Sequence, residues 1–242
     1  TKMDREGADY GEVLEKAQEL GYAERSPEAD VEGHDACRKI AILSSLITGK
    51  HVDAGQLHTE GITSITPGDF AYARAAGCSI KLLASSRIQE DGSVYACVAP
   101  FLVEASHTLA AVNDVVNGVL VTGNMVGEVM CYGPGAGKLP TASAVVADVI
   151  DCAKSGGGAT PCGWTREAAS LGNFSQAEHV FFVRAREADR EAVLAAFPVD
   201  RLLEAEGGAE DFGFFTKAME EGTFADQYEK LGNKVLGRIR YL

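Results

Sequence analysis

Two apolar, strand-like runs at 79–88 and 94–102 are separated by Asp91-Gly92. That dipeptide favours the tight turn whose twist matches a pair of antiparallel strands. A second pair, 118–122 and 128–132, has Gly123-Asn124 between its members and reads the same way. Hairpins of this kind need a layer of helices over one face. The expected class is therefore α+β: a mostly antiparallel, mixed sheet covered by helices.

The helices announce themselves by their ends. Asp9 with Glu12 has the spacing of a capping box, and Val13, Leu14, Ala17 and Leu20 follow as an apolar stripe that Gly21 ends. A second helix is expected over 34–46, with Ala36, Cys37, Ile40, Ala41 and Leu43 as its buried stripe and a stop near Gly49. Thr66-Pro67-Gly68-Asp69 supplies an N-cap, a first-position proline and an early acid for a short helix that Gly77 closes. The glycine loop 133–138 should run into a helix over 141–153 that is apolar on more than one side. Residues 155–177 read as a linker. The tail, 178–242, alternates strand and helix as βαββαβ, the order of a ferredoxin-like module.

Composition removes whole classes of function. Acidic residues outnumber basic ones by 35 to 22, for a net charge of −13. That argues against a nucleic-acid partner or an anionic membrane surface. No run approaches the ~20 apolar residues of a membrane span, and no secretory leader is evident. Six cysteines, at 37, 78, 97, 131, 152 and 162, are scattered without a C-x-x-C pair, several among apolar neighbours. They read as reduced, buried small hydrophobes of a cytoplasmic protein.

The chemistry concentrates at 24–39. Pro27 and Gly33 mark a loop, after which Asp35 and Lys39 stand four apart on the expected helix, on one face and within mutual reach. The loop brings Glu24 and Asp30 toward the same helix start. Three carboxylates around one ammonium group can hold a zwitterionic substrate and move a proton. Spacing by itself favours the plainer reading, since most Asp–Lys pairs at this interval are solvated salt bridges worth a few tenths of a kcal/mol. His34 reads as a polar helix start, and with no second His or Cys at ligand spacing no metal is expected. His51 and His58 fall in a polar connector and read as structural. The loop Gly133-Pro-Gly135-Ala-Gly137-Lys138 suits an anionic or flat ligand. It is not a phosphate-cradling Walker loop, because Leu139 follows Lys138. A tight strand-to-helix turn accounts for it equally well.

Several of these stretches, in this order, resemble homoserine dehydrogenases. The first is Leu20-Gly-Tyr-Ala-Glu24 with Pro27, Asp30-Val-Glu-Gly-His-Asp35 and Arg38-Lys39. Further along stand Gly61-Ile-Thr-Ser-Ile-Thr-Pro67, Ala111-Val-Asn-Asp114, Tyr132-Gly-Pro-Gly-Ala-Gly137 and Leu139-Pro-Thr-Ala-Ser-Ala144. The likeness covers roughly residues 1–155, and it departs at Arg25-Ser26, where the family usually has an acidic pair. It implies a dehydrogenase interconverting L-homoserine and L-aspartate 4-semialdehyde with NADP or NAD, on the route to threonine and methionine. Lys39 would be the catalytic lysine and Glu24 the group that holds the substrate's amino group. Asp35 would contact substrate, Asp30 would be a further acid, and Gly137 with Gly135 would form a second contact with the cofactor.

The same resemblance places a dinucleotide-binding domain ahead of the substrate domain. No strand here runs into Gly-x-Gly-x-x-Gly. The expectation is a fragment, inactive alone, whose residues 1–154 are a substrate domain and whose residues 178–242 resemble an ACT domain. Such a protein is expected to form dimers or tetramers, with threonine as an effector. The tail's first loop, Arg186-Glu-Ala-Asp189-Arg190, lacks the usual proline and glycine, which weakens the effector reading. Two rival readings stand beside this one. In the first the chain is a non-catalytic, amino-acid-binding or oligomerisation module of ACT type. In the second Lys39 is a Schiff-base nucleophile.

Overall fold

The computed structural model describes residues 28–242 apart from 115, 157, 159–160 and 205–209. The expected first helix, and Glu24 with it, lie outside the described residues. Two compact units are present: residues 106–162 belong to one, and residues 28–105 with 163–242 make the other.

The larger unit is built on the first expected hairpin. Strands β2 (Cys78–Ile88) and β3 (Val94–Glu104) pair antiparallel along their whole length, from Cys78 opposite Glu104 to Ile88 opposite Val94. Gly92 turns the chain with φ 80°, and the Asp91 carboxylate accepts the Ser93 N–H at 2.8 Å. Because β2 fills one edge of β3, two parallel partners share the other. β1 (His58–Thr59) meets Cys97–Val98, and β10 (Val235–Tyr241) meets Phe101–Leu102. From β10 the sheet continues antiparallel through β6 (Glu178–Arg186) and β8 (Asp211–Thr216) to β7 (Val199–Leu203), with β9 (Met219–Glu220) at the start of β6. The result is a mixed eight-stranded sheet, and the βαββαβ order of the tail is present in full.

Period-two alternation decides which face each residue serves. Phe181, Val183 and Ala185 of β6, with Phe212 and Phe214 of β8, form one buried cluster with Val193 and Phe197 and with Phe224. Val193 lies on α4 (Arg190–Ala196), which Phe197 follows, and Phe224 lies on α5 (Glu221–Leu231). Phe181 stacks on Phe224 with ring centroids 3.8 Å apart. Each such ring contributes about 1.5–3 kcal/mol of burial.

The intervening residues face α2 (Pro67–Ala75), whose Tyr72 ring lies 5.6 Å from Phe182. A side chain at Gly213 would strike that ring, since a Cβ there would stand 2.7 Å from it. On this face Arg184 donates to Asp69 at 2.9 Å, to Asp211 at 2.9 Å and to Thr66 at 2.8 Å. The other Asp69 oxygen accepts the Thr66 N–H, so one carboxylate both caps α2 and holds β6.

The smaller unit contains the second hairpin, β4 (Val116–Gly123) against β5 (Gly127–Pro134), and then α3 (Lys138–Lys154). The helix begins three residues before the expected Thr141. The strand ends at Pro134, and Gly137, at φ 110° and ψ 160°, is the N-cap from which the helix starts at once. Pro140 is tolerated in the first turn, where an N–H has no partner within the helix.

Candidate functional site

Helix α1 (His34–Thr48) starts at Gly33, in the left-handed region at φ 77°, and ends at Gly49 as its sequence indicates. Gly33 is held close on two sides. A Cβ there would lie 3.0 Å from Val98 Cγ1 and 3.3 Å from the Glu60 carbonyl oxygen. The buried line of the helix is Cys37, Ala41, Ser44 and Ser45. Leu43, expected in that stripe, is exposed instead. The i, i+4, i+7/i+8 line from Cys37 falls on the two serines, and both are satisfied: Ser44 donates to Ser86 at 2.7 Å, and Ser45 donates to the Ala41 carbonyl at 2.8 Å.

Asp35 and Lys39 come together as the spacing required, with Nζ 2.6 Å from Oδ2. The side chains are 44% and 64% exposed respectively, so taken alone the pair is that of a solvated helix face. Asp30 sits on the short helical turn Glu28–Val31, and its carbonyl accepts the Gly33 N–H at 3.2 Å. That turn is anchored from below. The Ile62 N–H donates to the Val31 carbonyl at 2.8 Å, and Thr63 donates to Glu32 at 3.1 Å. Gly61 passes so near that a Cβ on it would stand 2.3 Å from the Val31 carbonyl oxygen.

Gly135 and Gly137 belong to the smaller unit. A Cβ on Gly135 would overlap the Asn117 amide at 1.9 Å, and Gly137 N-caps α3 in a conformation open to glycine alone. Among the described residues, no group of three or more His, Cys, Asp or Glu side chains is gathered to hold a metal ion.

A buried ion cluster escaped the sequence reading. Arg240, 1% exposed, donates from Nε and Nη2 to Glu221 at 2.5 and 2.9 Å, and from Nη1 and Nη2 to Glu60 at 2.9 and 2.8 Å. Arg238 adds a bond to Glu60 at 3.0 Å. His58, assigned to a polar connector, has its Nε2 2.6 Å from the same carboxylate and stacks on Phe174 at 3.7 Å. A signal did exist: Arg238 and Arg240 are two apart in an expected strand, hence on one face, and one face of an internal strand needs countercharge. What the spacing could not name was the partner, 180 residues away.

Burial pushes the Glu60 carboxyl up, but the His58 and Arg240 contacts and the charges of Arg240 and Arg238 outweigh it and hold it well below the usual carboxylate range. Glu221 is lowered in the same way, burial opposing His179 and Arg240. A carboxylate lowered on folding gives stability that is complete above its ordinary value of 4.5 and is lost as pH falls below it. The melting-temperature gap between the parent and Glu60→Gln should therefore be full at neutral pH and shrink below pH 4.5; a gap that is constant down to pH 3 would contradict this.

Residues 1–150 match the family model for homoserine dehydrogenase. The chain belongs to the homoserine dehydrogenase family. It is 51% identical over 157 residues to the homoserine dehydrogenase of Mycobacterium tuberculosis (strain ATCC 25618 / H37Rv), covering 63% of this chain and 36% of that relative. With the Corynebacterium glutamicum homoserine dehydrogenase it shares 40% over 199 residues, covering 80% of this chain and 45% of the relative. The crystal structure of a homoserine dehydrogenase from Thiobacillus denitrificans superposes with a TM-score of 0.85 at 32% identity, covering all of this chain and 60% of that one. The chain thus spans less than half of either curated homoserine dehydrogenase. The α+β architecture, with its mixed sheet and helices, is that of the solved members of the family.

Proposed function

We propose that the complete protein containing this chain interconverts L-homoserine and L-aspartate 4-semialdehyde with NADP or NAD, in the route to threonine and methionine. The observation that carries this reading is the Asp35–Lys39 pair on α1, at the family's substrate motif and inside the stretch that the family model covers. Lys39 takes the hydroxyl proton in oxidation and returns it to the carbonyl oxygen in reduction. Glu24 is assigned the substrate ammonium, which would fix the reacting carbon, and Asp35 and Asp30 are assigned as a substrate contact and a further acidic group. A bound nicotinamide supplies the hydride acceptor or donor.

The glycine turn fits that cofactor at Gly137, where nothing nearer than Pro140 at 3.8 Å stands over the position of a side chain, whereas the space beside Gly135 is taken by the Asn117 amide. Gly137→Ala places a Cβ at φ 110°, a strained backbone costing about 1–3 kcal/mol. It is expected to raise the KM for the nicotinamide cofactor about tenfold with a smaller change for homoserine. An unchanged cofactor KM would remove Gly137 from that role.

The direct test is oxidation of homoserine by the purified complete protein with each nicotinamide cofactor, with serine and threonine as control substrates. Absence of homoserine turnover ends the proposal. The 242-residue chain alone is expected to show none, since the cofactor contacts assigned among the described residues are two glycines, Gly135 and Gly137; measurable turnover would refute that expectation.

A second reading concerns the tail. Its βαββαβ order, with β10, β6, β8 and β7 adjacent in that sequence, supports an ACT-like module over 178–242 that pairs copies of the chain into dimers or tetramers or binds an amino acid such as threonine. The loop after β6 is closed by Arg190, which chelates Glu187 at 2.6 and 2.8 Å and lies over Phe212. Calorimetry with threonine separates an effector site from a purely structural module. A cytoplasmic setting accords with six free thiols; Cys37, Cys78 and Cys97 are buried as expected, whereas Cys131, Cys152 and Cys162 are exposed, contrary to the reading of all six as core residues.

A further inference from the structure

The Glu60 cluster does more than join strands. Its carboxylate is grasped from the C-terminal strand by Arg238 and Arg240, while its backbone belongs to the segment that carries the Asp30 turn. The Glu60 N–H donates to the Val98 carbonyl at 2.8 Å, and the Glu60 carbonyl oxygen lies against Gly33. The next three residues hold the turn: Gly61 packs on Val31, Ile62 donates to it, and Thr63 binds Glu32. Rotation or withdrawal of Glu60 must therefore move Asp30 and the start of α1, one turn before Lys39. Arg240 is itself fixed from behind by Glu221 and by the Phe174 and Phe181 rings, so the anchor is stiff.

We infer that Arg240 and Glu60 are positioning residues: through their half-buried ion pair, strand β10 sets the placement of the Asp30 turn and of the helix that bears Lys39. The inference rests on the proposed reaction for its catalytic consequence, but its mechanical part stands apart from it. Neither residue is assigned a contact with substrate. Both act through Gly61 and Ile62.

The experiment uses the complete protein and the variants Glu60→Gln and Arg240→Lys, each of which keeps the side chain's approximate size. Arg184→Lys is the control, since it disturbs a second buried ion pair of the same unit that makes no bond to residues 28–33. Amide hydrogen exchange over residues 30–37 is expected to rise about tenfold in the first two variants and to stay at the parental rate in the control. The KM for homoserine should rise about tenfold with the nicotinamide KM within twofold and kcat less affected, a split that general destabilisation does not produce. Parental exchange at 30–37 in both variants, an equal rise in the control, or loosened exchange with an unchanged homoserine KM would each overturn the inference. Should Arg240→Lys fail to fold, Glu60→Gln decides alone, and if neither yields folded protein the pair is structural and the inference falls. A protein that never turns over homoserine, yet loosens at 30–37 in Glu60→Gln and not in the control, would defeat the assigned reaction and uphold the mechanical link.

Discussion

Replacing Lys39 by alanine in the complete enzyme is expected to lower kcat about a thousandfold, the range seen when a positioned acid–base group is removed. The fold should not notice. Lys39 is on the exposed face of α1, and its bond to Asp35 is an i, i+4 ion pair worth about 0.3–0.5 kcal/mol. The melting temperature and the far-ultraviolet spectrum should match the parent. Lys39→Arg is the sharper version. A guanidinium keeps the charge and can keep the bond to Asp35, but it does not give up a proton at accessible pH, so turnover should stay low. Near-parental kcat in either variant would remove Lys39 from the reaction. If borohydride with the aldehyde substrate trapped a covalent adduct at Lys39, the residue would be a nucleophile rather than a proton carrier.

The largest stability effect is expected at Arg184. Its guanidinium serves Asp69, Asp211 and Thr66 at once, and Asp69 is 1% exposed. Arg184→Met leaves that carboxylate buried without its cation, a loss of about 3–5 kcal/mol in chemical denaturation. Asp69 also caps α2, so the damage should spread to the packing of Tyr72 on Phe182. Adding Asp69→Asn to Arg184→Met removes the stranded charge and should recover much of the loss, a non-additivity that marks a coupled pair. Equal stability of parent and single variant, or simple additivity in the double, would show that the pair carries little.

Local chemistry made much of this protein legible. Asp91-Gly92 produced the β2–β3 hairpin with Gly92 at φ 80°, and Gly33 and Gly49 bracketed α1. The interval between Asp35 and Lys39 alone ensured that they would meet. The alternating strands of 178–242 foretold βαββαβ. Where the reading slipped, a tertiary partner had intervened. The stripe of α1 runs through Ser44 and Ser45 rather than Leu43 because the surrounding backbone and Ser86 satisfy the hydroxyls. His58 left its polar connector for a stack on Phe174 and a contact with Glu60.

Turns, caps and short-range pairs were within the power of the chain's own order of residues, because each depends on contacts a few positions apart. Only the folded structure could select Glu60 and Glu221 for Arg240, or Asp69 for Arg184, from among 35 acidic side chains. Tertiary pairing made those choices: β10 enters the sheet between β3 and β6, and Glu60 with Arg240, like Asp69 with Arg184, are charges more than a hundred residues apart that leave water together.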